Sequence, residues 1–174
     1  MPRIGVGVTA AEAQAALAAA ETVRALGPQI LVCTVDARAR GLAPFGRYPR
    51  LAEATGAQVA LEIIIEGKGD PGAELAPVAQ AVKASGLKPG AVFVTPSAHL
   101  KAVLPGSQGP KAPGYEELYR AARRAFPRVP LGGGMYSFFT ELNRKRPPAA
   151  LIDFVTHTTC PIVHAADDRS TMET

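Results

Sequence analysis

The sequence predicts an α/β fold, a (β/α) barrel of TIM type, incomplete, with about six of eight strand–helix units in a single domain over residues 1–174. Three observations predict it. Short runs rich in valine and isoleucine alternate with alanine-rich helical segments from one end of the chain to the other. The runs are apolar at nearly every position, as strands are when both faces are buried, and helical crossovers between such strands make them parallel. Polar residues gather directly after the runs, at the strand ends where a barrel carries its active site.

Each element has its local reason. Ile4 to Val8 reads as a strand, and Thr9 with Glu12 three residues on forms a capping-box pattern that opens a helix over Ala10 to Leu26. Gly27-Pro28 ends it. Ile30 to Val35 is the second strand, leaving Asp36 and Arg38 at its end. A helix follows near Tyr48 to Thr55, stopped by Gly56. The third strand, Val59 to Ile65, is apolar except for Glu62. Pro71 opens a helix that runs through Ser85 to Gly86. Ala91 to Thr95 is the fourth strand, and Pro96-Ser97-Ala98-His99 leaves its end. After a long loop, Pro105 to Pro113, a helix spans Tyr115 to Phe126. The fifth strand region starts at Leu131, and the sixth covers Asp153 to His157. No G-x-G-x-x-G follows the first strand, because Gly5 and Gly7 lie inside it, so a dinucleotide fold is disfavoured.

Six units do not close a barrel that takes eight and typically ~250 residues. Ser170 and Glu173 repeat the capping-box pattern, so a further helix is expected to start there. The first and sixth strands would then keep unpaired, apolar edges, and self-association through them is the expected consequence.

Composition excludes other classes. Hydrophobic residues make up 47% and charged residues 20%, a globular composition. The net charge of +4 is spread along the chain, and its densest knot, Arg144-Lys145-Arg146, is too short for the basic stripe of a nucleic-acid partner. No apolar run approaches the ~20 residues of a membrane span, so no membrane partner is expected. The start, MPRIGVGVTA, lacks the layout of a signal peptide, and the expected location is cytoplasmic. Cys33 and Cys160 sit in apolar contexts and read as buried free thiols.

The stretch from Pro130 to Asp168 is the polar exception in the chain. Within it, GGGMYSFFTELNRKRPP followed by DFVTHTTCPIVHAADDRSTMET resembles the barrel domain of the D-apionate lactonase family, itself similar in architecture to clan-A glycoside hydrolases. The specific motifs lie between Gly132 and Glu173. The resemblance implies a TIM-type barrel within a longer protein, and hydrolysis of a D-apionolactone-like sugar lactone to its aldonic acid. The chain departs from the family in length, which bears on whether it acts alone.

Lactone hydrolysis needs a base to activate water and a hydrogen-bonding or positive group for the developing oxyanion. Glu141 is the first candidate base, its alternative being an ion-pair partner of Arg144 or a helix N-terminal carboxylate. His157, at a strand end, is the second, with a satisfied structural histidine as its alternative. Asp36, Arg38, Glu66, His99, Asn143, Arg144, Thr158 and His164 are the candidate substrate-binding residues. Glu62 must find a partner if it points inward, and a salt bridge to Arg38 stands beside catalysis as its reading. His164, Asp167 and Asp168 are metal-donor types, but their spacing matches no metal motif, so neither a metal nor a cofactor is assigned. The competing functions are a glycoside hydrolase-like, carbohydrate-active barrel and a partial barrel without catalysis.

Overall fold

The structure is a computed structural model that describes residues 3–38, 43–159 and 167–172. Six strands form one sheet in sequential order, β1 (Gly5–Val8), β2 (Ile30–Asp36), β3 (Gln58–Ile65), β4 (Ala91–Pro96), β5 (Leu131–Phe138) and β6 (Phe154–Thr158). Every neighbouring pair is parallel. Helices α1 (Ala13–Ala18), α2 (Ala20–Ala25), α3 (Arg47–Thr55), α4 (Pro71–Ser85), α5 (Tyr115–Ala125) and α6 (Phe139–Arg144) fill the connections, and α7 (Asp168–Met172) follows β6. Sequential order with a helix after each strand is the arrangement of an incomplete TIM-type barrel. Among the described residues β1 pairs only with β2, and β6 only with β5.

The helix starts and stops follow from local chemistry. Glu12 reaches back to the Thr9 amide at 2.9 Å and to its hydroxyl at 2.7 Å, the expected half of a capping box. The expected single helix is bent at Ala19, yet the Ala19 and Val23 amides still donate to the Ala15 and Ala19 carbonyls, so the ladder runs on across the bend. Asp70 caps α4 by accepting from the Gly72 and Ala73 amides, with Pro71 in the first turn. Gly56 and Gly86 end α3 and α4 in the left-handed conformation that glycine alone takes at no steric cost. A short helix, α6, follows β5 directly, cut off before the proline pair Pro147-Pro148. One expectation needs correction. The last helix begins at Asp168, so Ser170 lies inside it rather than capping it, and Glu173 lies outside the described residues.

The central strands β3, β4 and β5 bury both faces, but against different things. Val8, Leu31, Cys33, Val35, Leu61, Ile63, Ile65, Val92, Val94 and Leu131 pack in one cluster with Tyr48 and Leu51 of α3, Leu75 and Val78 of α4, and Leu118 and Ala122 of α5. Because side chains alternate along a strand, Thr34, Asp36, Ala60, Glu62, Ile64, Phe93 and Thr95 face the other way, into the barrel. There Phe93 meets Tyr136 and Phe154 edge to face, with centroids 5.7 and 6.0 Å apart. Cys33 is buried and free on the helix side, where burial, then the charge of Glu62, push its thiol up to about 12. Cys160 lies outside the described residues.

Candidate active site

Parallel strands put all their carboxyl ends at one edge, and the edge gathers most of the expected residues. Asp36 ends β2, Glu66 follows β3, His99 closes the 3₁₀ turn Ser97–His99 after β4, Glu141 to Arg144 lie in α6 after β5, and His157 and Thr158 end β6. His164 lies outside the described residues. The gathered residues divide into an inner group, toward the barrel, and an outer group, toward the helices.

Asp36 and Arg38 head the inner group as a two-point pair, Nε to Oδ1 at 2.8 Å and Nη2 to Oδ2 at 2.6 Å. The Arg38 hydrogen bonds hold the Asp36 carboxyl below its ordinary value, against the upward push of partial burial. Asp36, and then the nearby charge of Glu66, in turn raise the guanidinium. Glu66 pairs with Lys68 at 2.7 Å, and its carbonyl accepts the Ser97 hydroxyl at 2.8 Å, tying β3 to β4. The Gly67 and Gly69 amides donate to the Glu74 carboxylate, so the loop that carries this rim is fastened to α4.

Deeper on the same face, Glu62 has found a partner other than the one expected. Arg38 is engaged by Asp36, and Glu62 instead accepts the Thr34 hydroxyl at 2.7 Å. Thr34 and Glu62 stand opposite each other in the β2–β3 register. Tyr136 reaches across from β5 and donates its hydroxyl to the Phe93 carbonyl at 2.9 Å, close enough for Glu62 to raise the phenol further after burial has done so. Thr34 and Tyr136 escaped sequence reasoning. The available signal was the matched polar interruption of two apolar strands, Thr34 and Glu62, each the fifth residue of its strand.

The outer group is held by ion pairs, hydrogen bonds and ring contacts. Glu141 is 1% exposed, and both its oxygens are engaged, Oε1 by Arg144 at 2.6 Å and Oε2 by Lys145 at 3.3 Å. Burial alone would raise its carboxyl, but these partners and the Val103 backbone hold it below its ordinary value. Of the readings weighed for Glu141, the ion-pair partner of Arg144 is the one this geometry draws. Arg144 also reaches the Val103 carbonyl at 3.4 Å, clasping the long loop. Asn143 is held by Arg146, with Oδ1 to Nε at 3.1 Å. His157, by strand alternation from the inward Phe154, points to the α6 side, where its exposed ring meets Phe139 at 5.3 Å. Thr158, which the same alternation returns to the inward side, donates its hydroxyl to the Ser137 carbonyl. His99 is 8% exposed, packed against Tyr115, with no partner for Nδ1; burial and then Lys145 push its imidazole down to about 4.

No three metal-donor side chains come together among the described residues. No helix among them is long and apolar enough to cross a membrane. The sequence matches the D-apionate lactonase TIM barrel domain over residues 4–174, nearly its whole length. The chain belongs to that family. A relative from Brucella anthropi, named D-apionate lactonase, is 45% identical over 175 residues, covering 100% of this chain. The chain spans 29% of that relative's length. In this member of the D-apionate lactonase barrel family, then, the paired Asp36–Arg38 rim and the Thr34–Glu62 pair below it line the inward face at the carboxyl edge of the sheet.

Proposed function

We propose that this chain is barrel machinery of a hydrolase that opens a D-apionolactone-like sugar lactone to its aldonic acid. The observation that carries the proposal is the 45% identity, over the whole chain, to a protein named D-apionate lactonase. The inward carboxyl edge supplies what such a substrate needs. Carboxylates and hydroxyls hydrogen-bond the sugar hydroxyls, and Arg38, fixed by Asp36, offers a guanidinium face to the lactone carbonyl or to the carboxylate it becomes. Water attacks the carbonyl carbon, and the ring oxygen departs as an alcohol. Glu141, Asn143, His157 and Thr158 serve this reading by holding the loop, α6 and β6 in place around the edge.

The test is proton release in a pH-stat on D-apionolactone and related aldonolactones, beside nitrophenyl glycosides. Acid production from the lactones, with the glycosides left intact, is the expected result. Release of nitrophenol with the lactones untouched would replace this reading by the glycoside hydrolase one.

A further inference from the structure

Every acidic side chain of the expected site is already committed to a cation. Asp36 is held by Arg38, Glu66 by Lys68, and Glu141 by Arg144 and Lys145. A cation beside a carboxylate stabilises its charged form and so weakens it as a base. Glu62 differs. It has no ion-pair partner among the described residues, it is half-buried on the inward face, and its one hydrogen bond, from Thr34, engages only Oε2. The Thr34 backbone is held as well, since its carbonyl accepts the Tyr48 hydroxyl at 2.9 Å. Beside Glu62 stands the neutral phenol of Tyr136. Toward β1, a side chain built at Gly7 would meet nothing within 4 Å.

We infer that Glu62 is the general base of the hydrolysis, with Thr34 as its positioning residue; this rests on the lactonase reading above. Oε1 of Glu62 takes a proton from water as the water oxygen bonds to the lactone carbonyl carbon. The carbonyl electron pair moves onto its oxygen, giving a tetrahedral oxyanion. That pair returns, the bond from carbon to the ring oxygen breaks, and the departing oxygen takes the proton back from Glu62. The hydroxy acid then ionises in solution, and neither oxidant nor metal enters the balance.

Glu62→Gln, Glu62→Ala and Thr34→Val, made in the natural full-length protein, test the assignment on D-apionolactone. Glu62→Gln is expected to lower kcat by about 10²- to 10⁴-fold with KM little changed, the scale of general-base catalysis. Thr34→Val should lower kcat by about tenfold, the scale of one hydrogen bond to a charged group. In Glu62→Ala, added formate should restore part of the rate in proportion to its concentration, which a structural role would not allow. A folded Glu62→Gln protein with the unsubstituted kcat overturns the assignment and leaves the lactonase reading standing. So does a slow Glu62→Ala protein that formate does not rescue. Failure of the unsubstituted protein to open the lactone overturns both.

Discussion

His99 shows what burial does to a single side chain. Desolvation, with Lys145 adding its repulsion and Glu141 only partly offsetting it, brings the folded imidazole down to about 4 from an ordinary 6.5. Between those values the unfolded chain holds the extra proton and the folded chain does not. Stability from His99 is therefore complete above pH 6.5 and is lost as the pH falls through 4. Melting temperatures measured from pH 7 down to pH 4 should fall, and in His99→Gln the fall should be shallower over the same window. Equal slopes would show that His99 takes its proton in the folded state as readily as in the unfolded one. At this scale the sequence was only half legible. The Glu141–Arg144 pair is readable because residues three apart share a helix face. The partner of Glu62 is not, because Asp36, two positions from Arg38, takes the guanidinium first. Competition between near and distant partners is settled by distance in space, which no spacing in one strand records.

Among the elements, β5 is the most constrained. A side chain at Gly132 would run into the Phe154 ring at 2.3 Å, and one at Gly133 into the Tyr119 hydroxyl at 2.3 Å. At Gly134 the backbone stands at φ 148°, and an added Cβ would lie 1.9 Å from the Thr156 carbonyl oxygen of β6. That atom is backbone and has no rotamer to escape into. Gly134→Ala should therefore cost about 3 kcal/mol or more, combining left-side backbone strain with overpacking. Chemical denaturation of the variant beside the unsubstituted chain measures it, and a loss under about 1 kcal/mol would mean that β5 and β6 shift apart freely. The glycine triplet is visible in the sequence as a site of close approach, but the approaching partners are not, since Phe154 and Thr156 come from β6 and Tyr119 from α5. Strand order and the ends of α3 and α4 were legible from apolar runs and terminal glycines. The bounds of the six-residue α6 were not, because so short a helix owes its extent to the ion pairs and loop contacts around Glu141 rather than to periodicity.

For the whole molecule, the governing feature is a parallel sheet whose two outer strands are each paired on one side among the described residues. Both are short, four residues in β1 and five in β6, and apolar side chains stand beside them, with Ile4 66% and Val155 54% exposed. Main-chain donors and acceptors in such a row pair readily with another strand. The 174-residue chain alone is expected to associate as its concentration rises, seen in sedimentation velocity as a growing weight-average sedimentation coefficient. A single monomeric boundary at all concentrations would show that these edges are protected. The barrel class was legible because it depends on repetition, which sequence displays directly. The division of the edge into an inward and an outward group was not, because it turns on strand parity and on where α6 sits.

The chain contains four tyrosines and no tryptophan. Each phenol is committed to the folded structure: Tyr48 to the Thr34 carbonyl, Tyr115 to the Lys145 carbonyl, Tyr136 to the Phe93 carbonyl, and Tyr119 filling the space at Gly133. Burial raises all four, Tyr115 to about 12. They stand in α3, α5 and β5, and the carbonyls of Thr34 in β2 and Phe93 in β4 hold two of them, so between them they sample both the sheet and the helices packed on it. In alkali the molecule is thus its own optical indicator: the colour of phenolate, absent while the layers hold, arrives with their separation.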